Sequence, residues 1–143
     1  MDVDGDLMAC AGCLCLASRR AARSITAAFE RSLRPHGIRA TQFTTLVMLM
    51  LRGPTPIGEL AESLGMERTT LSRNLDLLEA KGWAESRPGA DDSRARVASV
   101  TAEGQVVVRA ALPQWRQAQD AVAQAVGDPG VDALRRLAQA TIR

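Results

Sequence analysis

A chain of 143 residues, of which 46% are hydrophobic, is sized for one domain with its own core. The net charge of +2 is too slight to signal a nucleic-acid partner by itself, so any such signal must lie in where the arginines fall. No apolar run approaches the roughly 18 residues needed to cross a bilayer, and three aspartates stand where a secretory leader would be basic, so the expectation is a cytoplasmic chain with no membrane partner.

Residues 1 to 8 are acidic and are expected to fray. A long helix is expected from about Ala9 to Leu33, with Leu14, Ala21, Ile25, Ala28 and Ser32 along one stripe. Pro35, which disfavours helical geometry in the residue before it, stops that helix at Arg34-Pro35-His36-Gly37. Thr41 reads as the N-cap of a second helix through Arg52 that is apolar almost all round and belongs at the centre of the domain. Thr55 and Pro56 read as the cap and first-turn proline of the next helix.

Ile57, Leu60, Ala61 and Leu64 recur at i, i+3, i+4 and i+7, which is one face of a helix. Leu71, Leu75 and Leu78 repeat the pattern after Gly65, so the pair reads as a helix-turn-helix. On the second helix Thr69, Ser72, Arg73 and Asp76 lie opposite the leucines, with Arg68 on the flank. Hydroxyls and guanidinium groups at the start of such a helix suit phosphates and base edges in a major groove. Trp83–Arg87 and Arg96–Val100 then read as two short strands around the turn-forming Pro88–Ser93, a wing. Thr101 caps a further helix expected to run to about Val126 with a bend at Pro113, and Asp128-Pro129 starts a final one.

The cysteines Cys10, Cys13 and Cys15 fall within six residues. In a cytoplasmic chain this spacing points to redox or soft-metal chemistry before a structural disulfide, although a small buried hydrophobe is the commoner fate of a cysteine. The second ligand pair of a zinc site is missing, so no resident metal is expected. An enzyme is disfavoured: His36 is the only histidine and lies in a turn, no Gly-rich phosphate loop occurs, and no cofactor or catalytic residue is assigned.

The order of helices, helix-turn-helix, wing and C-terminal helices resembles the MarR family of winged helix-turn-helix transcription regulators. Three segments carry the resemblance: Gly37-Ile-Arg-Ala-Thr-Gln-Phe43, Arg68-Thr-Thr-Leu-Ser-Arg-Asn-Leu-Asp-Leu-Leu-Glu-Ala-Lys-Gly82, and Asp92-Ser-Arg94 together with Val100-Thr-Ala-Glu-Gly104. It implies a mainly α fold, a single MarR-like domain over 1–143. Within it, dimerisation helices would occupy about 9–35 and 102–143, and a winged helix-turn-helix about 41–101. It implies a homodimer on double-stranded DNA, with recognition helices about 34–36 Å apart on a pseudo-palindrome. By position, Arg68, Thr69, Thr70, Ser72 and Arg73 become candidate groove or phosphate contacts. Arg94 becomes the wing arginine of the minor groove, with Asp92 orienting it, while Arg87 and Arg96 would touch phosphates at most. Asp76 reads as a structural or repulsive charge.

The family also implies retuning by a small-molecule effector, often an aromatic acid, for which Phe29, His36, Met48 and Trp115 are the candidate pocket residues. Core packing explains Phe29, Met48 and Trp115 equally well. Cys15 matches the reactive cysteine of the family's organic-hydroperoxide-sensing branch, but the two tyrosines of that branch are replaced by Phe29 and Ala40. Two alternatives therefore stand beside the effector-controlled regulator. One is a thiol-based regulator using Cys15 with Cys10 and Cys13. The other is a dimeric interaction module that has lost DNA binding.

Overall fold

The computed structural model describes residues 2–91 and 94–140. The chain divides into two compact units, a helical one made of the residues up to Ser32 with those from Gln117 onward, and a winged one, Leu33–Arg116.

The helical unit begins with α1 (Val3–Ala9), a 3-10 turn (Cys10–Gly12) and α2 (Leu14–Leu33). Asp2 caps α1, its Oδ1 accepting the Gly5 N–H at 3.1 Å, and Asp4 and Asp6 sit in the first turn, where the helix dipole favours anions. The stretch expected to fray is therefore helical. The long helix expected from Ala9 is interrupted instead at Cys13, whose φ and ψ are −57° and 125°. Gly12, a weak helix former, ends the 3-10 turn just ahead of that break.

The last helix, α6 (Ala102–Gln139), passes through Pro113 with helical dihedrals and breaks at Gly127, where φ is 70° and ψ is 171°. That conformation is open essentially to glycine alone. The break at Gly127 falls where the helix expected to end near Val126 gives way to the Asp128-Pro129 restart.

In the winged unit a 3-10 turn (Arg34–His36) leads to α3 (Ala40–Arg52). This helix starts one residue ahead of Thr41, because Gln42 Oε1 reaches back to accept the Arg39 N–H at 3.0 Å and takes the capping role. Thr55 and Pro56 form a short strand, β1, ahead of α4 (Ile57–Leu64). Thr55 is therefore not a helix cap. It pairs with Ala98, and its hydroxyl donates to the Gly53 carbonyl at 2.8 Å. Gly65 adopts the left-handed conformation, φ 63° and ψ 33°, and lets the chain turn sharply into α5 (Arg68–Ala80). The strands β2 (Ala84–Pro88) and β3 (Arg96–Val100) follow, and the sheet order is β1-β3-β2, antiparallel throughout.

The core of this unit is the leucine pattern made solid. Leu46 and Leu49 of α3, Leu60 of α4, and Leu71, Leu75 and Leu78 of α5 are fully buried with Ala98 of β3 and Val108 of α6. Each such leucine contributes about 1.5–3 kcal/mol relative to exposure. Among the buried polar side chains, Asn74 Nδ2 donates to Thr45 Oγ1 at 3.0 Å, and Thr45 donates on to the Thr41 carbonyl at 2.6 Å. This chain pins α5 to α3 at one register, because an unpaired amide there would be costly.

The base of the wing is fixed to α6 by backbone proximity. Thr101 N–H donates to the Trp83 carbonyl at 3.0 Å and Thr101 Oγ1 to the Gly82 carbonyl at 2.6 Å. Thr101 Oγ1 also caps α6 by accepting the Gly104 N–H at 3.1 Å. A Cβ at Gly104 would lie 2.1 Å from the Trp83 carbonyl oxygen, so the first turn of α6 can approach the strand only where that side chain is missing.

Candidate nucleic-acid interface

The helix-turn-helix presents one buried and one open side. Leu71, Leu75 and Leu78 face the core, while Arg68, Thr69, Thr70 and Arg73 on the first turns of α5 are exposed. The orphan N–H groups and positive end of the helix dipole add to the arginines there, giving that end of α5 a cationic, hydrogen-bond-donating character. The guanidinium of Arg68 lies across the start of α4, where a Cβ on Gly58 would stand 3.7 Å from its Cζ.

The wing adds a second cationic element. Arg94 is exposed at the end of the loop, and Arg87 is exposed on β2, with its Nη2 3.4 Å from Glu85 Oε1. Two charges this solvated attract each other weakly, which leaves Arg87 available to a stronger anion. Arg87 and Arg94 meet at one cleft with Ser86, Pro88, Ala95 and Arg96. The loop closes through a hydrogen bond from Gly89 N–H to the Ala95 carbonyl at 2.8 Å. Asp92, the expected orienting partner of Arg94, lies outside the described residues.

Two residues of this surface are used in a way that their positions alone do not announce. Arg96 is not a loose flanking cation. Its guanidinium donates to Ser86 Oγ (2.8 Å), Ser72 Oγ (3.1 Å), Asp76 Oδ1 (2.9 Å) and Glu79 Oε2 (2.8 Å). Ser72 is therefore an acceptor inside the protein, and Asp76 is a structural charge, as its place on the helix suggested. Strand alternation carried the signal: Arg96 shares its face of β3 with Ala98 and Val100, opposite Ser86 and Ala84 of β2, which is the side of the sheet toward the core.

The four candidate effector residues divide. Met48 and Trp115 line a pocket of about 430 Å³ with Phe43, Thr44, Val47, Ser63, Leu64 and Leu112, and Trp115 stacks on Phe43 with ring centroids 6.4 Å apart. His36 does not line it. Its Nε2 sits 2.8 Å from Gln114 Oε1. Phe29 lies on α2 in the helical unit and is half-buried there. Cys10, Cys13 and Cys15 are free and exposed. Among the described residues no group of three or more His, Cys, Asp or Glu is arranged to hold a metal ion. No helix among them is long and apolar enough to cross a membrane.

A tight two-helix turn followed at once by a hairpin, with cationic side chains on the second helix and on the hairpin, defines a winged helix-turn-helix. The description of the MarR family matches residues 36–95. The transcriptional regulator MosR of M. tuberculosis, solved in complex with DNA, superposes with a TM-score of 0.79 at 40% identity over 89% of this chain and 94% of that one. The HTH-type transcriptional regulator YwoH of Bacillus subtilis is 30% identical over 86 residues, 60% of this chain and 62% of its own length. The transcriptional repressor MprA of Escherichia coli is 34% identical over 86 residues, 59% of this chain and 49% of its own. The matched segment thus spans 62% and 49% of the length of these two curated relatives. The chain belongs to the MarR family.

Proposed function

We propose that this protein is a sequence-specific DNA-binding transcriptional regulator and not an enzyme. On this reading it acts as a homodimer on a pseudo-palindromic operator and is retuned by a small-molecule effector. The observation that carries the reading is the exposure of Arg68, Thr69, Thr70 and Arg73 on α5 together with Arg87 and Arg94 on the wing. The likeness to MosR, solved with DNA, supports it across nearly the whole chain. On this reading α5 enters the major groove, Arg73 reads a base or phosphate there, and Arg94 reaches the adjacent minor groove. Dimerisation is supported by the helical unit, where Leu7, Met8, Leu14 and Leu137 stand exposed and would be covered by a second copy. The apolar pocket beside Trp115 and Met48 has the size and lining of a site for a small aromatic ligand. An effector there alters DNA affinity only insofar as it binds the DNA-competent and DNA-incompetent states differently.

The test is selection from randomised duplexes followed by salt-titrated binding of the enriched sequence. A short palindrome bound by two copies is the expected result. Weak binding without enrichment at physiological salt would replace the regulator by a dimeric interaction module. Within that assay Arg73→Ala should cost about 1–3 kcal/mol on the enriched site if Arg73 reads a base, whereas an equal loss on every sequence would assign it to phosphate.

A thiol-controlled form of the same reading is favoured by one observation. The Cys13 N–H donates to the Cys10 carbonyl at 3.1 Å across the break between α1 and α2, and both thiols are exposed. A hydrogen-bonded turn of that span holds its end Cα atoms within about 7 Å, close to the reach of a disulfide. Loss of DNA binding under peroxide that Cys10→Ser, Cys13→Ser or Cys15→Ser escapes would establish it. Binding indifferent to peroxide would remove it.

A further inference from the structure

Arg96 ties the wing to α5 through all three nitrogens of its guanidinium. Nε reaches Ser86 on β2, Nη1 reaches Ser72 on α5, and Nη2 reaches both Asp76 and Glu79 on α5. Ser86 Oγ donates in turn to Glu79 Oε1, closing the cluster. Ser72, Asp76 and Glu79 stand at i, i+4 and i+7, a single stripe of α5. The planar fork of arginine suits such a divided set of acceptors, whereas a lysine offers one point charge. The Arg96 side chain is 25% exposed and Glu79 31%, but Asp76 is 68% exposed and lies one helical turn from Arg73.

We infer that Arg96 is a positioning residue for DNA binding, holding the wing against α5 and neutralising Asp76 and Glu79 on the helix that carries Arg73. The inference rests on the DNA-binding reading of α5 and the wing. With its nitrogens committed inside the protein, Arg96 acts on DNA through other residues and not by touching a phosphate. Without it, Asp76, one turn from Arg73, and Glu79, a turn further on, would lose their cationic partner, and Asp76 would repel the DNA backbone or capture the neighbouring arginine. The hairpin would also be left with the Ser86–Glu79 hydrogen bond as its polar link to α5, so that Arg94 and Arg73 would be offered in a less fixed arrangement.

The experiment is salt-titrated fluorescence anisotropy of the full chain on its selected duplex, comparing wild type, Arg96→Gln, Arg96→Lys and the combination Arg96→Gln, Asp76→Asn, Glu79→Gln. Arg96→Gln should weaken binding by about tenfold at low salt, and because Asp76 is largely solvated the deficit should shrink as salt screens the repulsion. The neutralised combination should recover most of that loss, because the repulsive carboxylates are gone, which a purely structural lesion would not allow. Arg96→Lys should fall between wild type and Arg96→Gln. Wild-type affinity in both Arg96→Gln and Arg96→Lys overturns the inference. So does a slope lower by about one without recovery in the combination, the mark of a lost phosphate contact. If Arg96→Gln does not fold, Arg96→Lys and the neutralised combination still decide between these outcomes. Failure of the wild-type protein to bind any duplex would instead strike at the DNA-binding reading itself, and is thereby distinguishable.

Discussion

The two units of this chain solve the problem of apolar surface in opposite ways. Among the described residues the buried hydrophobic side chains run from Leu33 to Ala111 within the winged unit, and Ala118 is the one that lies in the helical unit. The helical unit instead leaves Val3, Leu7, Met8, Leu14, Leu16, Val126, Leu134 and Leu137 exposed, with Leu14 at 84%. A unit with its own core fixes the geometry of a binding surface. A unit without one is suited to completing itself on a second chain. The contrast predicts that substitutions in the two units will separate stability from assembly.

The largest effect belongs to the winged core. Leu75→Ala removes a fully buried side chain of α5 among Leu46, Leu71 and Leu78 and should lower stability by about 2–5 kcal/mol. Denaturant unfolding measures this, and a loss below about 1 kcal/mol would mean that the core is far looser than its burial indicates.

Next in size is the junction of wing and α6. Gly104→Ala places a methyl where the Trp83 carbonyl oxygen stands 2.1 Å away, so the first turn of α6 must retreat from the strand, at about 1–3 kcal/mol. If the thermal midpoint of Gly104→Ala matches that of wild type, the close approach is not a constraint on the fold.

The same contrast explains what was legible in the sequence. The winged unit announces itself because its core residues repeat at helical spacing on elements long enough to show a period, as Ile57 to Leu64 and Leu71 to Leu78 do. Two features there were hidden. Thr55-Pro56 is too short to display alternation, so its pairing with Ala98 and Val97 has no sequence signature. Asn74 is polar, and nothing in a single sequence distinguishes a buried amide satisfied by Thr45 from a solvated one. In the helical unit the periodicity of Leu14 to Ser32 indicated a helix but not the break ahead of it, because Cys13 lies outside that stripe and no proline marks it. Of the candidate site, Arg73, Arg87 and Arg94 are exposed where their positions placed them. Arg96, expected to touch phosphates at most, is turned by its strand face to Asp76 and Glu79, partners that no single-sequence pattern pairs with it.

The smallest effect on intrachain stability, and the sharpest test of the comparison, lies in the exposed leucines. Leu14→Gln and Leu137→Gln alter side chains that are 84% and 59% exposed. Within one chain such changes should cost no more than about 0.5 kcal/mol, since they remove almost no buried area. If a second copy covers them, each leucine contributes to association instead, at about 1.5–3 kcal/mol when fully covered. Because unfolding of a dimer is linked to protomer concentration, the substitutions should leave the melting of dilute monomer unchanged while lowering the concentration dependence of melting in the assembled protein. Sedimentation equilibrium across a concentration series separates the two quantities. A shifted dissociation constant with an unshifted monomer midpoint would place these residues in the dimer contact. An unshifted dissociation constant would show that the apolar surface of the helical unit serves something other than a second copy of this chain.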